Sequence, residues 1–270
     1  MLNHKAGRKE RTMSYKTIIV DKKDRVGIVT LNRPAELNTF NTQLAQELNT
    51  ALRELDGDSS IRVVVIKGEG KHFCAGIDLK EMPGKGTIEL RNWIRDMDEH
   101  NVTIARMEKP VIACVHGAAV ANGMGLACAC DLTVASEDAK FGTTAINVGL
   151  YCFGPSAPLS RCVGKKRALE LLMTGEVVDA KRALEFGIVN RLVAKEVLEK
   201  EAMALAGELA EKSPLALKMA KRSYYAMSNM GYNEALTYLG EAFTLLCCTE
   251  DAKEGVDAFL NKREPKWKER

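Results

Sequence analysis

The stretch from Val111 to Asp131 constrains the fold of this chain more than any other segment, because it joins an apolar run to a run of small residues. The run Val111–His116 is bounded by Pro110 and Gly117, which is typical of a strand buried on both faces. The small residues after it predict a tight turn and then a short helix. Backbone N–H groups at such a junction converge on one point, where they bind an anion or a developing oxyanion. Close backbone packing explains the same small residues equally well, and this stretch alone does not decide between the two interpretations.

The charge balance excludes several classes of function. The 270 residues carry 39 basic and 36 acidic side chains, a net charge of +3, which is too balanced for nucleic acid or a membrane surface to be the main partner. No apolar run approaches the roughly 20 residues of a membrane-spanning helix. Residues 1–13 are basic and polar and lack the apolar centre of a secretory signal, so we expect a disordered leader there.

The cysteine and histidine patterns indicate neither disulfides nor a metal site. The eight cysteines form no CxxC pair and lie mostly within apolar runs, which predicts free thiols in a reducing compartment. We therefore expect a cytoplasmic protein, or a mitochondrial matrix protein if the source is eukaryotic. The four histidines show no metal-ligand spacing, so no metal is expected.

Apolar periodicity predicts strand-rich units that are each followed by a helix. Two strands, Tyr15–Val20 and Val26–Leu31, are joined by a polar turn at Asp21–Asp24, and Asn41 or Thr42 then caps a helix that runs through Leu55. The later predicted elements are strands at Ile61–Ile66, Asp131–Ser136, Ala139–Asn147 and Ile188–Val193, and helices at Ile88–Met107 and Asp179–Phe186, with a mostly helical chain after Arg161 and a helix start at Ser213-Pro214. Two of the units end in small-residue loops, at Cys74–Asp78 and Gly117–Gly125.

Four segments resemble one protein family along their whole length. They are LNRPAELNTF (Leu31–Phe40), HFCAGIDLKEM (His72–Met82), PVIACVHGAAVANGMGLACACD (Pro110–Asp131) and AKFGTTAINVGL (Ala139–Leu150), and the tail EGVDAFLNKREPKW (Glu254–Trp267) is similar to that family's closing helix. The family is the enoyl-CoA hydratase/isomerase, or crotonase, superfamily. Because several motifs occur in the same order and at the same spacing, from about Ser14 to Trp267, the chain is identified as an atypical member.

The resemblance implies an α/β fold, a crotonase-like spiral of ββα units with a helical C-terminal trimerisation region. Residues 14–200 would form the core, and residues 201–270 would form a helical oligomerisation subdomain of a trimer or a dimer of trimers. The implied ligand is an acyl-CoA thioester, with coenzyme A as part of the substrate and no permanently bound cofactor. In the family, one backbone N–H from each small-residue loop binds the thioester oxygen, and the matching residues are Ala75 and Asn122. Each such donor contributes roughly 3 to 4 kcal/mol to stabilising the oxyanion.

The resemblance also assigns residues to the rest of the ligand. The residues that would contact the substrate or its coenzyme A are Ala35, Glu36, Leu37, Ala75, Gly76, Ile77, Asp78, Leu79 and Asn122, together with Phe259 and Lys262 on the closing helix. The apolar residues expected to face the acyl group are Met82, Trp93, Ile146, Leu150 and Phe153, which favour an apolar chain or ring.

This chain departs from the family at three positions where family members carry acid/base residues. The two glutamates that activate water in hydratases match Gly125 and Ala145, and the aspartate of some other members matches Phe153. None of these three side chains can transfer a proton, so hydration by the two-glutamate route is not expected. Asp78 and Glu81, the neighbouring carboxylates, are expected to be solvated.

Three functions remain open at this point. The first is an enzyme in which the oxyanion hole carries most of the chemistry, such as an acyl-CoA decarboxylase, which needs an enolate to be stabilised but needs no strong base. The segment TTAINVG is similar to the corresponding part of methylmalonyl-CoA decarboxylases. The second is a hydratase or isomerase with an unrecognised acid/base group, and the third is a non-catalytic acyl-CoA binder.

Overall fold

The computed structural model describes residues 15–270, so the predicted leader at 1–13 lies outside the described residues. The strands are β1 (Ile18–Lys23), β2 (Val26–Leu31), β3 (Val63–Gly68), β4 (Val111–Val115), β5 (Ala118–Val120), β6 (Leu132–Ser136), β7 (Lys140–Gly142), β8 (Val177–Asp179) and β9 (Arg191–Val193). The helices are α1 (Thr42–Gly57), α2 (Thr87–Arg106), α3 (Asn122–Ala129), α4 (Phe153–Cys162), α5 (Lys165–Thr174), α6 (Ala180–Phe186), α7 (Leu198–Ala210), α8 (Pro214–Met227), α9 (Tyr232–Cys247) and α10 (Glu250–Leu260). None of the described helices is long and apolar enough to cross a bilayer.

Two sheets organise the first two hundred residues. The larger sheet has the order β1-β2-β3-β4-β6-β9, and all its pairs are parallel except the β1–β2 hairpin. The smaller sheet has the order β5-β7-β8. Because a strand points successive side chains to opposite faces, β3 and β4 contribute to two cores at once. Val64 and Ala113 pack into the core that includes α1 and α2, whereas Val65 and Ile112 pack against α7. The prediction that β4 is buried on both faces is therefore confirmed.

Several predicted boundaries differ from the structure. The first strand starts later than predicted and continues through Lys23, because the chain reverses at Asp24 and Arg25, which both have positive φ (48° and 65°) and form a two-residue hairpin turn. The strand predicted at Ala139–Asn147 is limited to β7, and a 3-10 turn follows it at Thr144–Val148. The predicted strand Ile188–Val193 is limited to β9.

Two short strands were missed, and both belong to the smaller sheet. β5 lies inside the small-residue stretch that was predicted to be a turn, and β8 lies between two predicted helices. Each has only three residues, so neither contains enough alternation for a sequence pattern to reveal it. As a result, the chain passes from β4 through β5 before α3 begins.

A buried ion pair joins the helical C-terminal region to the sheet. The Asp131 carboxylate accepts hydrogen bonds from the Val111 N–H (2.7 Å), from the Lys221 ammonium group of α8 (2.7 Å) and from the Tyr225 hydroxyl (3.2 Å). Ser213 caps α8 as predicted, since its Oγ accepts from the Ala216 N–H at 3.2 Å. The predicted boundary between residues 200 and 201 falls inside α7, which packs on the larger sheet.

Helix α9 is apolar yet has no buried residue. Its large exposed side chains are Tyr232, Leu236, Phe243 and Leu245, and Phe259 and Leu260 at the end of α10 are exposed as well. Soluble proteins seldom leave so many large apolar side chains together in water, so this surface has the composition of an interface.

His100 of α2 is fully buried beside the ring of Phe40, with 5.0 Å between ring centroids. Neither of its ring nitrogens finds a hydrogen-bond partner among the described residues. Burial lowers the pKa of His100 from 6.5 to about 4, because the imidazolium would lose its hydration, and the backbone of Met97 offsets only part of that effect.

This burial predicts a pH-dependent stability. Between pH 6.5 and 4 the unfolded chain binds a proton at His100 that the folded chain does not, so the free energy of unfolding decreases as the pH falls. Between pH 7 and pH 5 the loss from this residue is about 2 kcal/mol. Urea unfolding at the two pH values measures it, and His100→Leu is expected to remove that part of the loss. Met97→Leu, a buried and volume-conserving change in the same helix, should retain it. Equal losses in the wild type and His100→Leu would contradict the assignment.

Candidate functional site

The two small-residue loops meet side by side, because the backbone of Cys74 pairs with β5. The Cys74 N–H donates to the Ala118 carbonyl, and the Val120 N–H donates to the Cys74 carbonyl, both at 3.0 Å. Gly123 at the start of α3 lies so close to the Cys74 carbonyl that a Cβ at this position would overlap it. The glycine at this position therefore serves close backbone approach, one of the two interpretations left open by the sequence.

The other edge of the same loop pairs with residues 37–40. The Ala75 N–H donates to the Leu37 carbonyl at 3.0 Å, the Phe40 N–H donates to the Gly76 carbonyl at 2.8 Å, and the Asp78 N–H donates to the Phe40 carbonyl at 2.8 Å. Ala75 was the residue matched to the oxyanion hole, but this hydrogen bond occupies its N–H. The carbonyl of Gly76 and the N–H of Asp78, on either side of Ile77, both bond to Phe40, so the N–H of Ile77 itself points away from Phe40. It has no acceptor among residues 15–270.

Asn122 is the first residue of α3, where a helical N–H has no intrahelical acceptor. The chain reaches it through Ala121, whose backbone angles (φ 48°, ψ −118°) are rarely adopted by a residue with a side chain. A Cβ on Gly76 would lie 2.9 Å from the Ala121 Cβ and 3.9 Å from the Asn122 nitrogen. The segment that carries Ile77 therefore lies next to the start of α3, and neither the Ile77 N–H nor the Asn122 N–H, at the positive end of that helix, has an acceptor among residues 15–270.

The residues assigned to coenzyme A divide into two groups. The 3-10 turn Pro34–Glu36 carries Ala35 and Glu36 and lies next to the Gly76–Leu79 segment, since Arg33 pairs with Asp78 at 3.0 Å. The exposed side chains of Leu37 and Leu79 complete this surface. Phe259 is exposed on α10, and Lys262 lies beyond the end of that helix rather than on it. Within residues 15–270, no hydrogen bond or ion pair joins these two residues to the loops.

Glu81 and Asp78 are not solvated carboxylates, contrary to expectation. Glu81 accepts from the Thr42 N–H (2.9 Å) and hydroxyl (2.7 Å) at the start of α1, and from the Trp93 indole (3.0 Å). Burial raises its pKa, but these hydrogen bonds outweigh burial and hold the pKa below its usual range. Glu81 therefore joins α1 and α2 next to the site, and Trp93 is buried by this contact rather than open to a ligand.

The positions that match the family's acid/base residues are apolar in space as well as in sequence. A Cβ at Gly125 would meet the ring of Pro155 on α4 at 3.0–3.1 Å, so the direction of a side chain there is already filled. Ala145 lies on the 3-10 turn Thr144–Val148 and packs against the core. Phe153 is 77% exposed, and its ring lies against Tyr151.

One ionisable residue near these positions was missed by the sequence analysis. Asp98 of α2 is half-buried, and its Oδ1 lies 3.5 Å from the side-chain nitrogen of Asn122. Burial raises the pKa of Asp98 to about 6, and the Asn122 amide offsets only part of that rise. An acidic residue on an amphipathic helix is normally solvated, so the sequence contains no signal that marks this one.

Proteins of similar sequence and structure define the class. A sequence model of the family described as enoyl-CoA hydratase/isomerase matches residues 21–270. A probable enoyl-CoA hydratase of Rhizobium meliloti (strain 1021) is 40% identical over 265 residues, which cover 96% of this chain and 100% of that protein. A short-chain-enoyl-CoA hydratase of Clostridium acetobutylicum is 34% identical, covering 93% and 97%. The crystal structure of an enoyl-CoA hydratase of Mycobacterium smegmatis superposes with a TM-score of 0.90 at 38% identity, covering 93% and 99%.

The chain therefore belongs to the enoyl-CoA hydratase/isomerase family, and the predicted crotonase-like α/β fold is confirmed. This membership makes acyl-CoA the ligand class of the site. The relatives are named as hydratases, whereas Gly125 and Ala145 are the residues that the sequence resemblance matches to the two glutamates of hydratases.

The packing at Gly125 predicts that a glutamate cannot simply be restored there. Gly125→Glu is expected to lower the free energy of unfolding by about 1 to 3 kcal/mol, because the new side chain forces the rigid Pro155 ring to move. The double variant Gly125→Glu/Pro155→Gly should recover much of this loss, as measured by urea unfolding. Gly207→Glu on α7 is the matched control, since nothing lies within 4 Å of a Cβ at Gly207. If Gly125→Glu is no less stable than Gly207→Glu, Pro155 does not fill the site.

Proposed function

We propose that this chain binds an acyl-CoA thioester and stabilises its enolate between the N–H groups of Ile77 and Asn122. The observation that carries the proposal is that these two unpaired donors lie on neighbouring segments, on loops held together through Cys74. The proposal places the first donor at Ile77 instead of Ala75, because the Ala75 N–H already donates to Leu37. Two donors held in place before the reaction stabilise a developing oxyanion without reorganising.

The reaction class follows from which groups are present. An enolate forms when the α-carbon of a thioester loses carbon dioxide or a proton, and the electron pair left behind moves onto the thioester oxygen. Loss of carbon dioxide requires only the oxyanion hole, so the apolar positions 125 and 145 do not prevent it. Hydration by a glutamate pair is not part of the proposal, because Gly125 and Ala145 supply no carboxylate.

The coenzyme A portion is assigned to the surface formed by the turn at Pro34–Glu36 and the segment Gly76–Leu79. The Arg33–Asp78 ion pair joins these two segments, and both of its side chains are only 13% exposed. The exposed Leu37 and Leu79 border the same surface and supply apolar contacts for the ligand. In this assignment the ligand lies across both loops, so the thioester reaches the two N–H groups.

Removing one backbone donor tests the oxyanion hole directly. Proline is tolerated at the first position of a helix, so Asn122→Pro deletes the N–H, and urea unfolding checks that the fold withstands the strain that proline adds at Ala121. Titration with acetoacetyl-CoA, followed by the ultraviolet absorbance of its enolate, is expected to show roughly 100-fold weaker enolate binding than the wild type. Asn122→Ala removes the side chain but keeps the N–H, and should bind within a few-fold of the wild type.

Two results would contradict the proposed stabilisation of the enolate by the backbone N–H groups. If the wild type binds acetoacetyl-CoA without forming the enolate, or does not bind it, the chain does not stabilise a thioester enolate. If Asn122→Pro and Asn122→Ala weaken enolate binding equally, the side chain rather than the N–H of Asn122 is responsible.

We also propose that neighbouring copies of this chain cover α9 in a trimer or a dimer of trimers. Helix α9 has no buried residue, and four of its large apolar side chains are exposed. An amphipathic helix is stabilised by burying its apolar face, so α9 needs a partner surface. The exposed Phe259 lies on α10, which contacts α9, so a neighbouring copy on this surface would also place Phe259 and Lys262 near a subunit boundary.

A charge placed on this helix should separate the copies. Phe243→Glu is expected to convert the assembly into monomers, because a carboxylate buried in an interface loses its hydration. Sedimentation velocity measures the change. Ile88→Glu is the control, because Ile88 is 72% exposed and lies outside the C-terminal helices, whereas Phe243 is 67% exposed. A wild-type protein that sediments as a monomer would contradict the proposal.

A further inference from the structure

The Asp98 carboxylate is an ionised group without a cationic partner at the edge of the proposed site. Its nearest polar contact is the Asn122 amide, 3.5 Å from Oδ1, which is a long hydrogen bond. Among the described residues no lysine, arginine or histidine pairs with it, whereas Asp131 is paired with Lys221 at 2.7 Å. The more deeply buried Asp251 also has no cation, but it accepts three hydrogen bonds, from the Ser213 hydroxyl and from the N–H groups of Lys268 and Glu269. A partly buried carboxylate without a cation destabilises the fold, so its presence calls for a role other than stability.

The fold places this carboxylate against the start of α4. A Cβ on Gly154 would overlap the Asp98 carboxylate, so this carboxylate lies directly against the Gly154 backbone. Pro155, the next residue, is the one that fills the side-chain direction at Gly125. The first turn of α4 therefore lies between Asp98 and Gly125, the residue matched to the first glutamate of the family.

The second position matched to a glutamate, Ala145, is connected to Asp98 only through Cys152. The Cys152 thiol lies beside the backbone of Ala145 and within electrostatic reach of Asp98. The thiol itself is not a candidate for the proton transfer, because burial raises its pKa and Asp98 raises it further. Asp98 thus lies against Gly154, which precedes Pro155 beside position 125, and next to Asn122, whose N–H belongs to the proposed oxyanion hole.

We propose that Asp98 transfers the α-proton of the bound acyl-CoA thioester, so that one carboxylate from α2 serves the site in place of the family's glutamate pair. This proposal rests on the enolate site proposed above. The ionised carboxylate takes the proton from the α-carbon, the electron pair of the broken C–H bond forms the enolate, and the enolate oxygen is bound by Ile77 and Asn122. Return of a proton from the Asp98 carboxyl to the carbon regenerates the thioester and the carboxylate, with no change in oxidation state.

The reaction to measure is exchange of the α-protons of butanoyl-CoA in heavy water, followed by mass spectrometry with the full-length protein. The wild type should incorporate deuterium, and Asp98→Asn should exchange at least about 100-fold more slowly, as for the loss of a general base. Asp98→Asn should still bind acetoacetyl-CoA as its enolate, with equal or higher affinity, because that ligand ionises without an enzymic base. Asp96→Asn is the matched control, because Asp96 is on the same helix but contacts Gln46 instead.

Two further readouts separate proton transfer from a merely structural role. Wild-type exchange should rise with pH through the raised pKa of Asp98, near 6, and level off above it, because only the ionised form acts as a base. Added formate should restore part of the exchange in Asp98→Ala, and Asp98→Glu should retain more exchange than Asp98→Asn. A residue that only positions Asn122 would give neither result.

The outcomes distinguish this proposal from the one on which it rests. If the wild type binds the acetoacetyl-CoA enolate but Asp98→Asn exchanges butanoyl-CoA as fast as the wild type, the role of Asp98 is overturned and the oxyanion hole stands. The same conclusion follows if the wild type binds the enolate but exchanges no α-protons. If the wild type forms no enolate complex, the oxyanion hole fails and the role of Asp98 fails with it.

Discussion

The hydrogen bonds on both edges of the loop that follows Cys74 determine the geometry on which the site depends. On one edge the Cys74 backbone pairs with β5, and on the other edge Ala75 pairs with Leu37. A peptide in a segment paired on both edges cannot rotate without breaking hydrogen bonds, so the direction of the Ile77 N–H is fixed before any ligand arrives. The close approach of Gly123 to Cys74 places the start of α3 against the same loop, and the second donor is positioned by that packing.

Sequence patterns predicted the parts of the molecule where a structural demand dictates a residue type. Burial on both faces requires an apolar strand, as at β4, and close backbone approach requires glycine, as at Gly123. The direction of a backbone N–H carries no such mark, since every residue except proline has one. The choice between Ala75 and Ile77 depends on which neighbouring strand each peptide faces, and only the tertiary pairing reveals it. For a related reason the environment of Glu81 was predicted wrongly and Asp98 was missed, because their burial comes from segments that are distant in sequence.

At Gly125, one of the two positions that the resemblance matches to a glutamate, the packing as well as the residue identity leaves no carboxylate. Pro155 of α4 occupies the space toward which a side chain at Gly125 would point. The neighbouring Gly154 allows α4 to approach α2 at Asp98. The start of α4 therefore fills the space for a carboxylate at position 125 and leaves room for the carboxylate of Asp98. Consequently, the change from the family pattern involves two helices and cannot be assessed from the catalytic positions alone.

Two buried carboxylates in this chain illustrate how structural and functional charges differ. Asp131 is compensated by Lys221, by the hydroxyl of Tyr225 and by a backbone N–H, and in return it holds α8 against the sheet. Asp98 has one long hydrogen bond to Asn122 and no cation. Pairing Asp98 with a lysine would lower its pKa and reduce its ability to accept a proton from carbon. A carboxylate that must exchange protons near neutral pH has to remain poorly compensated, so the same lack of partners that weakens the fold at Asp98 suits this residue to proton transfer.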